Sequence, residues 1–275
     1  MTRRHTGGIC IAAAIFAALA LSTSSGCDRN TSAEEYKLVR EDEFEGDAGA
    51  SPDTAYWDYD IGTNWGNNQL EYDTSRPVNV SLDGDGNLAI VAREESYNGC
   101  DYTSGRIVTR DKIEYAYGRF EARIRLPVGQ GIWPAFWLLG ADIDAVGWPV
   151  CGEIDIMEYR GQEPNVILGS LHGPGYYGGS AITRRYIKDG AGFNEGFHIF
   201  AVEWSEDRVT WYLDNAAYFT VTTKDIPDDG RWVFDHPFFI ILNVAVGGNF
   251  VGPPNESTSF PQTMLIDWVR VYRKG

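Results

Sequence analysis

The segment that most constrains the fold is GEIDIMEY at 152–159, which places three carboxylates among apolar residues with no cation inside the run. Side chains of a strand alternate between its two faces, so Glu153 and Asp155 share one face and the isoleucines take the other. Strict alternation would then place Glu158 with the isoleucines, where an ionised carboxylate is very costly. A β-bulge at Met157 would shift the register and return Glu158 to the face of the other two acids. The segment therefore predicts a bulged strand with three acids in a row on one surface.

A row of acids suits two kinds of chemistry. Glycoside hydrolysis requires two carboxyl groups that flank a bond and whose pKa values are pushed apart, one acting as general acid and the other as nucleophile or base. A third acid can then tune this pair. The alternative is an acidic strand edge or a cation site, because clustered carboxylates also bind calcium.

Period-two alternation recurs along the rest of the chain and predicts an all-β protein. Apolar residues alternate with charged ones over 120–126, and a similar alternation covers 209–213. The segment 82–88 is typical of a turn between two strands. Residues 238–246 are nearly all apolar, as expected of a strand that is covered on both sides. About 240 residues of such strands predict two packed sheets.

Seven segments together resemble glycoside hydrolase family 16, and within it the bacterial laminarinases, or endo-1,3-β-glucanases. They are YGRFEARIRLP (117–127), GIWPAFWLLG (131–140), GEIDIMEY (152–159), LGSLHGPGY (168–176), FHIFAVEW (197–204), ILNVAVGGNF (241–250) and IDWVRVY (266–272). The resemblance spans about residues 36–275. The E-x-D-x-x-E spacing is similar to the laminarinase branch, whereas the lichenase branch has E-x-D-x-E without a bulge. The resemblance implies a jelly-roll sandwich of two curved antiparallel sheets with an open cleft.

The resemblance also implies roles for the three acids. Glu153 would be the nucleophile of a retaining mechanism and Glu158 the acid/base, while Asp155 would hydrogen-bond Glu153 and hold it in place. No cofactor is expected for catalysis, and the expected substrate is a β-1,3-glucan. Two other functions stay open: a noncatalytic β-glucan recognition protein on the same fold, and a family 16 hydrolase for mixed-linkage glucan, agar or carrageenan. Recognition proteins of this kind typically lack the glutamates, which this chain retains.

Aromatic and polar residues complete the predicted substrate cleft. Trp133 and Trp137 are four residues apart in one strand, hence on the same face, and are expected to be platforms for sugar rings. The further candidates for substrate binding are His172, Asn64, Asn68, Arg106, Trp148 and Asn249. The asparagines are equally consistent with turns, and a lone histidine or tryptophan is often structural. Phe250 replaces the Trp that this family most often has after Gly-Gly-Asn. Trp204, Trp211 and Trp268 are expected in the core or on an outer face.

One structural calcium ion is a further implication of the resemblance. The matching positions are Glu43 and Gly86, through backbone carbonyls, and Asp267, through its side chain and carbonyl. Oxygen ligands from separate segments suit Ca²⁺. The alternative for Asp267 is a carboxylate that satisfies a turn.

The first 35 residues are typical of an export signal followed by a tether. Two arginines, an apolar run from Ile9 to Leu21 and small residues up to Gly26 predict a cleaved signal over 1–26 and not a membrane span. A polar tether at 27–35 and a catalytic domain at 36–275 follow. Cys27 matches the acylated cysteine of bacterial lipoproteins, although Ser24 stands where such signals usually have an aliphatic residue. The protein is therefore expected to be secreted or lipid-anchored at the cell envelope.

Cysteines and charge restrict the environment and the partners. Cys100 and Cys151 are an even pair in an exported domain, so a disulfide is the default expectation and two unpaired buried thiols the alternative. The net charge is −16, with 23 basic and 39 acidic side chains. Nucleic acid binding needs a concentrated basic surface, which the sequence lacks. A neutral glucan suits this charge, and we expect a monomer.

Overall fold

The computed structural model describes residues 36–275, and nearly all of the regular structure there is β-strand. The strands are β1 (Tyr36–Asp42), β2 (Asp58–Tyr59), β3 (Glu71–Asp73), β4 (Val80–Leu82), β5 (Leu88–Tyr97), β6 (Cys100–Ser104), β7 (Arg106–Val108), β8 (Glu114–Tyr115), β9 (Gly118–Arg125), β10 (Ile132–Gly140), β11 (Glu153–Tyr159), β12 (Val166–His172), β13 (Ile182–Ile187), β14 (His198–Ser205), β15 (Arg208–Leu213), β16 (Ala216–Thr222), β17 (Phe238–Val246) and β18 (Gln262–Lys274). A four-residue helix, α1 (Ile143–Val146), and a 3-10 turn at Gly178–Ser180 accompany them. The predicted export signal and tether, including Cys27, lie outside the described residues.

Two large sheets contain these strands. The first has ten strands in the order β16-β15-β14-β9-β18-β5-β6-β3, with β1 beside β18 and β4 beside β5. The second has eight, in the order β13-β12-β11-β10-β17-β7-β2, with β8 beside β17. Pairings are antiparallel except that of β3 with β6. The last strand of the chain, β18, lies between β9 and β5 because successive strands cross between the sheets. This is the predicted jelly-roll sandwich.

The core between the sheets follows from the alternation seen in the sequence. In β9 the apolar residues Phe120, Ala122 and Ile124 are buried while the charged residues between them lie on the other face. Burying a large aliphatic or aromatic side chain stabilises the fold by about 1.5–3 kcal/mol. Trp204 and Trp211 are buried in this core, as expected. Every residue of β17 is buried, which confirms that this strand is covered on both sides.

The face of the second sheet that points away from this core is called here the outer face. In β10, Phe136 and Leu138 join the core, whereas Trp133 and Trp137 project to the outer face and pack with smaller clusters there. The same alternation applies to the neighbouring strands β12, β11, β17 and β7. Five adjacent strands therefore present side chains to one continuous surface.

Candidate active site

The three acids of β11 share the outer face because the strand contains a bulge. Asp155 and Glu158 pair with positions of β12 that are only two residues apart, so two residues of β11 oppose one of β12. Those two residues, Ile156 and Met157, are both buried in the core, at 1% and 0% exposure. The predicted bulge is confirmed. It returns Glu158 to the face of Glu153 and Asp155 without burying a carboxylate among the isoleucines.

A glycine marks the entry into β11. Gly152 has a φ of +73°, in the left-handed region that disfavours residues with a Cβ atom. A Cβ at this position would lie 2.9 Å from Cζ of Phe238 on β17. The chain therefore turns tightly against its neighbour immediately before Glu153, which fixes the position of the first acid.

Indole N–H groups donate to the first and last acids of the row. Trp148 Nε1 donates to Glu153 Oε2 at 2.9 Å, and Trp133 Nε1 donates to Glu158 Oε1 at 3.2 Å. Trp148 is 45% exposed and Trp133 only 8%. Because an indole N–H only donates, both contacts favour the ionised carboxylate. The structure thus brings two sequence-predicted tryptophans directly to the acids.

His172, at the end of β12, lies beside the first two acids of the row. Its Nε2 lies 3.0 Å from Asp155 Oδ2 and 3.8 Å from Glu153 Oε1. Its Nδ1 accepts a hydrogen bond from the Gly178 backbone N–H at 3.1 Å. In the neutral imidazole the proton is then on Nε2, which faces the acids. The contact with Asp155 is close but not an aligned hydrogen bond, since Oδ2 accepts none.

Burial dominates the electrostatics of the acid row. Burial, followed by repulsion from Asp155, raises the pKa of Glu153 to about 8. Burial also raises the pKa of Asp155 to about 7. For Glu158, burial and then the charge of Asp155 raise the pKa well above its ordinary value. The charge of Asp155 acts directly on Glu153, so a proton taken up near neutral pH belongs to the pair. Such a row holds protons that isolated carboxyls would release.

A second group of predicted residues lies around Arg106 on β7, which is separated from β11 by two strands. The guanidinium lies between two indoles, 4.9 Å from the ring centres of Trp65 and of Trp137. Its Nε donates to Asp60 at 2.8 Å. Trp137 Nε1 donates to Asn243 at 2.8 Å, so an amide, not an acid, accepts from this indole. Trp65, Arg106 and Trp137 are each partly exposed, as side chains that contact a sugar ring must be.

The predicted asparagines lie in exposed loops beside the end of β17. Asn68 Nδ2 donates to Asn249 Oδ1 at 2.9 Å, and the two residues are exposed. Asn64 is exposed as well, and it shares with Asn68 a positive φ, at 66° and 55°. Turn geometry therefore accounts for these two positions, and their availability to a ligand stays a prediction. Phe250 packs against Trp133 with ring centres 4.9 Å apart.

The sequence analysis missed two buried acids and one amide. Glu71 and Asp73 on β3 are 1% and 2% exposed. Burial raises the pKa of Glu71 to about 7, and burial followed by repulsion from Glu71 raises the pKa of Asp73 well above its ordinary value. The E-x-D spacing at 71–73 was the available signal. Asn243 could have been found as the polar position in the otherwise apolar strand β17.

Metal-ligating side chains come together at the same place as the acids. Within residues 36–275, one group of three such side chains has ligand atoms within 4.8 Å of one another, namely Glu153, Asp155 and His172. The one side chain predicted for calcium, that of Asp267, does not fit a cation as it is arranged, because Arg123 donates to it and neutralises its charge. Only the predicted backbone ligands remain open for calcium.

The expected disulfide is not formed. Cys100 and Cys151 are both free; the first is half-buried and the second fully buried. Cys100 begins β6 in the first sheet, whereas Cys151 packs with Leu139 and Phe239 of the second sheet. Burial, and then the charge of Glu153, raises the pKa of the Cys151 thiol to about 12. The alternative of unpaired thiols is therefore correct, with Cys151 an unreactive thiol.

The chain is similar to proteins of one enzyme family. Residues 58–270 match the family described as glycosyl hydrolases family 16. A β-glucanase from Rhodothermus marinus is 41% identical over 264 residues, which cover 90% of this chain and 89% of the relative. Glucan endo-1,3-β-glucosidase A1 from Niallia circulans is 36% identical over 86% of this chain and 38% of its own length. The crystal structure of the laminarinase catalytic domain from Thermotoga maritima superposes with a TM-score of 0.83 at 45% identity, covering 88% of this chain and all of that domain. In the described part of the chain, no helix is both long and apolar enough to span a membrane.

Proposed function

The chain belongs to glycoside hydrolase family 16, and we propose that it is an endo-acting glucanase that cleaves internal β-1,3-glucosidic bonds of laminarin-type glucans with retention of configuration. The observation that carries the proposal is the acid row of β11. Its two glutamates share one face, each accepts an indole N–H, and Asp155 lies between them. Relatives of this family that are named for β-1,3-glucan support the choice of polymer.

In the first step, Glu153 attacks the anomeric carbon while the glycosidic C–O bond breaks. Glu158 gives its proton to the leaving oxygen, and the sugar remains joined to Glu153 as an ester. Burial and the charge of Asp155 raise the pKa of Glu158 well above its ordinary value, which favours the protonated form that this step needs. The hydrogen bond from Trp148 favours an ionised Glu153. Because the attack requires an ionised Glu153, a proton held by the Glu153–Asp155 pair must lie on Asp155 in the reactive state.

In the second step, water attacks the same carbon and releases Glu153. Glu158, now ionised, accepts the proton of that water, which restores the starting protonation. His172 lies close to Asp155 and Glu153 and stabilises their negative charge. Trp133, Trp137, Arg106 and the exposed asparagines are proposed to bind the glucan on either side of the acids.

Two other functions are less consistent with the site. A noncatalytic recognition protein has no need of two half-buried glutamates with raised pKa values, which are costly to fold. A hydrolase for sulfated galactans such as carrageenan would need unpaired cations in the cleft to bind the sulfate groups. Arg106, the arginine stacked with Trp65 and Trp137, is already paired with Asp60. A neutral glucan meets neither objection.

Product analysis tests the proposed substrate. Laminarin, lichenan, agarose and carrageenan are incubated in parallel, and the products are identified by size. Endo-cleavage of laminarin into short oligosaccharides is expected, with lichenan cut less and the galactans left intact. No cleavage of any polymer would support the recognition protein instead, and preferential cleavage of another polymer would replace laminarin as the substrate.

Azide rescue tests the two roles. Glu158→Ala should keep the first step for substrates with good leaving groups, and azide should accelerate turnover of the trapped intermediate. Glu153→Gln should not respond to azide in this way. Equal loss on activated and natural substrates would contradict this assignment of roles.

Three further expectations belong with this proposal. Export would remove residues 1–26, which the mass of the protein recovered outside the cytoplasm would show, and lipid labelling that depends on Cys27 would identify an anchor. A monomer is expected in solution, as sedimentation would show. One calcium ion would bind through the backbone carbonyls of Glu43, Gly86 and Asp267; an unchanged melting temperature with and without a chelator would contradict it.

A further inference from the structure

A tryptophan of the first sheet reaches across the core to the bulge of the acid strand. Trp211 on β15 is completely buried, and its Nε1 donates to the backbone carbonyl of Asp155 at 2.7 Å. The acceptor is the residue at which the regular pairing of β11 with β12 ends. The hydrogen bond therefore joins the two sheets immediately before the bulge.

The bulge explains why this carbonyl is available. In a regular strand, the backbone carbonyls point sideways and accept hydrogen bonds from N–H groups of the neighbouring strands. They do not point toward the opposite sheet. A bulge interrupts the ladder and re-orients the local backbone. A buried carbonyl requires a donor, and the Trp211 indole donates to this one from the opposite sheet.

The strand beside the bulge leaves room for the indole. Gly169 on β12 is the single residue opposite Ile156 and Met157. A Cβ at Gly169 would lie 2.6 Å from Cδ1 and 2.8 Å from Nε1 of Trp211. Phe219 packs on the indole with ring centres 4.7 Å apart. The ring is therefore fixed between β12 and β16, with its N–H directed at the bulge.

We infer that Trp211 is a positioning residue, which holds the bulge in one conformation and so fixes the spacing between Glu153 and Glu158. The inference rests on the proposed function, because this spacing matters only if the two glutamates act on one bond. Trp211 itself lies behind the strand in the core and does not touch the substrate. The bulge separates the two glutamates, so any shift of the bulge moves one relative to the other.

A matched pair of substitutions separates positioning from stability. Trp211→Phe keeps an aromatic ring but removes the donor to Asp155. Trp204→Phe is the control, because Trp204 is also buried and its Nε1 donates to the backbone carbonyl of Phe234 at 3.0 Å, away from the acids. Each variant loses one buried N–H···O=C bond, so both melting temperatures should fall by similar amounts.

The kinetics of the two variants should differ. On laminarin, Trp211→Phe should lower kcat by about 10- to 100-fold with little change in KM, the loss expected when reacting groups are displaced by a fraction of an ångström to an ångström. Trp204→Phe should keep the kcat of the wild type at a temperature where both are folded. Gly169→Ala, which displaces the same indole by steric contact, should lower kcat in the same way. Equal kcat values for the two Trp→Phe variants would overturn the inference.

Crystal structures of the two Trp→Phe variants test the inference without any activity assay. The separation of the Glu153 and Glu158 carboxyl groups should change by about 0.5 Å or more in Trp211→Phe, the tolerance of a productive site, and stay unchanged in Trp204→Phe. An unmoved bulge in Trp211→Phe would overturn the inference. A wild-type protein that cleaves no glucan would instead contradict the proposed function and leave this structural comparison to decide the role of Trp211.

Discussion

Two E-x-D pairs in this molecule have the same spacing and opposite surroundings. Glu153 and Asp155 begin β11, and Glu71 and Asp73 form the ends of β3. Burial raises the pKa of the carboxyl groups in both pairs. A raised pKa is therefore not sufficient to identify a catalytic acid here, since desolvation alone produces it.

Access and partners distinguish the two pairs. The Glu153 side chain is 17% exposed on the outer face, and an indole N–H and His172 approach its carboxyl group. Glu71 is sealed from solvent, at 1% exposure, and accepts a hydrogen bond from the backbone N–H of Val246 at 2.8 Å. Burial raises the pKa of Glu71, and the charge of Arg106 offsets only part of this rise. The first pair is also followed on its own strand by a third acid on the same face, because the bulge of β11 returns Glu158 to that face.

The largest expected effect is the difference in activity between neutralising the glutamate of the first pair and neutralising that of the second. Glu153→Gln should lower glucan hydrolysis by about 10⁴-fold or more, since the amide cannot form the covalent intermediate. Glu71→Gln should keep most of the activity. Rates on laminarin, with circular dichroism as the control for folding, make the comparison. Comparable losses for the two variants would show that the sealed pair takes part in catalysis.

Removing the bulge of β11 should test whether Glu153 and Asp155 need Glu158 in its present position for activity. Deletion of Met157 gives the regular E-x-D-x-E spacing, which keeps the acids on one face but changes the local twist and their separation. A folded protein with activity reduced by about 100-fold or more is expected, as for misplaced reacting groups. Near wild-type turnover of laminarin would mean that the bulge is dispensable.

The proposed role of Trp133 and Trp137 in sugar binding can be tested with a control tryptophan whose burial matches that of Trp133. Trp133→Ala and Trp137→Ala should each weaken kcat/KM by about 1–3 kcal/mol if these rings bind sugar. Trp268, on the first sheet, is 7% exposed against 8% for Trp133, and Trp268→Ala should change stability alone. Kinetics and thermal unfolding are measured on all three. A stability loss of about 3–5 kcal/mol with unchanged kinetics for Trp133→Ala would make it a packing residue.

The smallest effect concerns the stability of the sealed pair at different pH values. The folded protein keeps a proton on Glu71 up to a pKa of about 7, whereas the unfolded chain releases it near 4.5. The free energy of unfolding therefore falls as pH rises through this window, by at most about 3 kcal/mol for this group. Glu71→Gln should remove that fall, so the variant gains stability over the wild type at pH 8 relative to pH 4.

Urea unfolding at the two pH values measures this gain. Glu256→Gln, at an exposed loop position, is the control and should leave the pH dependence unchanged. The same gain in both variants would attribute the effect to net charge instead of burial.

Alternation and the cost of buried charge were sufficient to predict the acid row. The sequence places Ile154 and Ile156 in the core, and a bulge near Met157 was the way to bring Glu158 back to the outer face; the structure confirms it. The catalytic roles required the family resemblance. The sealed acids escaped the same reasoning because E-x-D at 71–73 stands in a short strand whose burial depends on neighbours far along the chain.

The sequence by itself determined the all-β class, the two-sheet core and the face on which the acids lie, because those depend on the local period of apolar and polar residues. Tertiary structure decided which indole meets which glutamate, that Cys100 and Cys151 stay apart, and that Trp211 supports the bulge from the other sheet. The three hydrogen bonds among them join residues 5, 25 and 56 positions apart. The local pattern of apolar and polar residues does not predict such pairings, because they depend on how the strands cross between the two sheets.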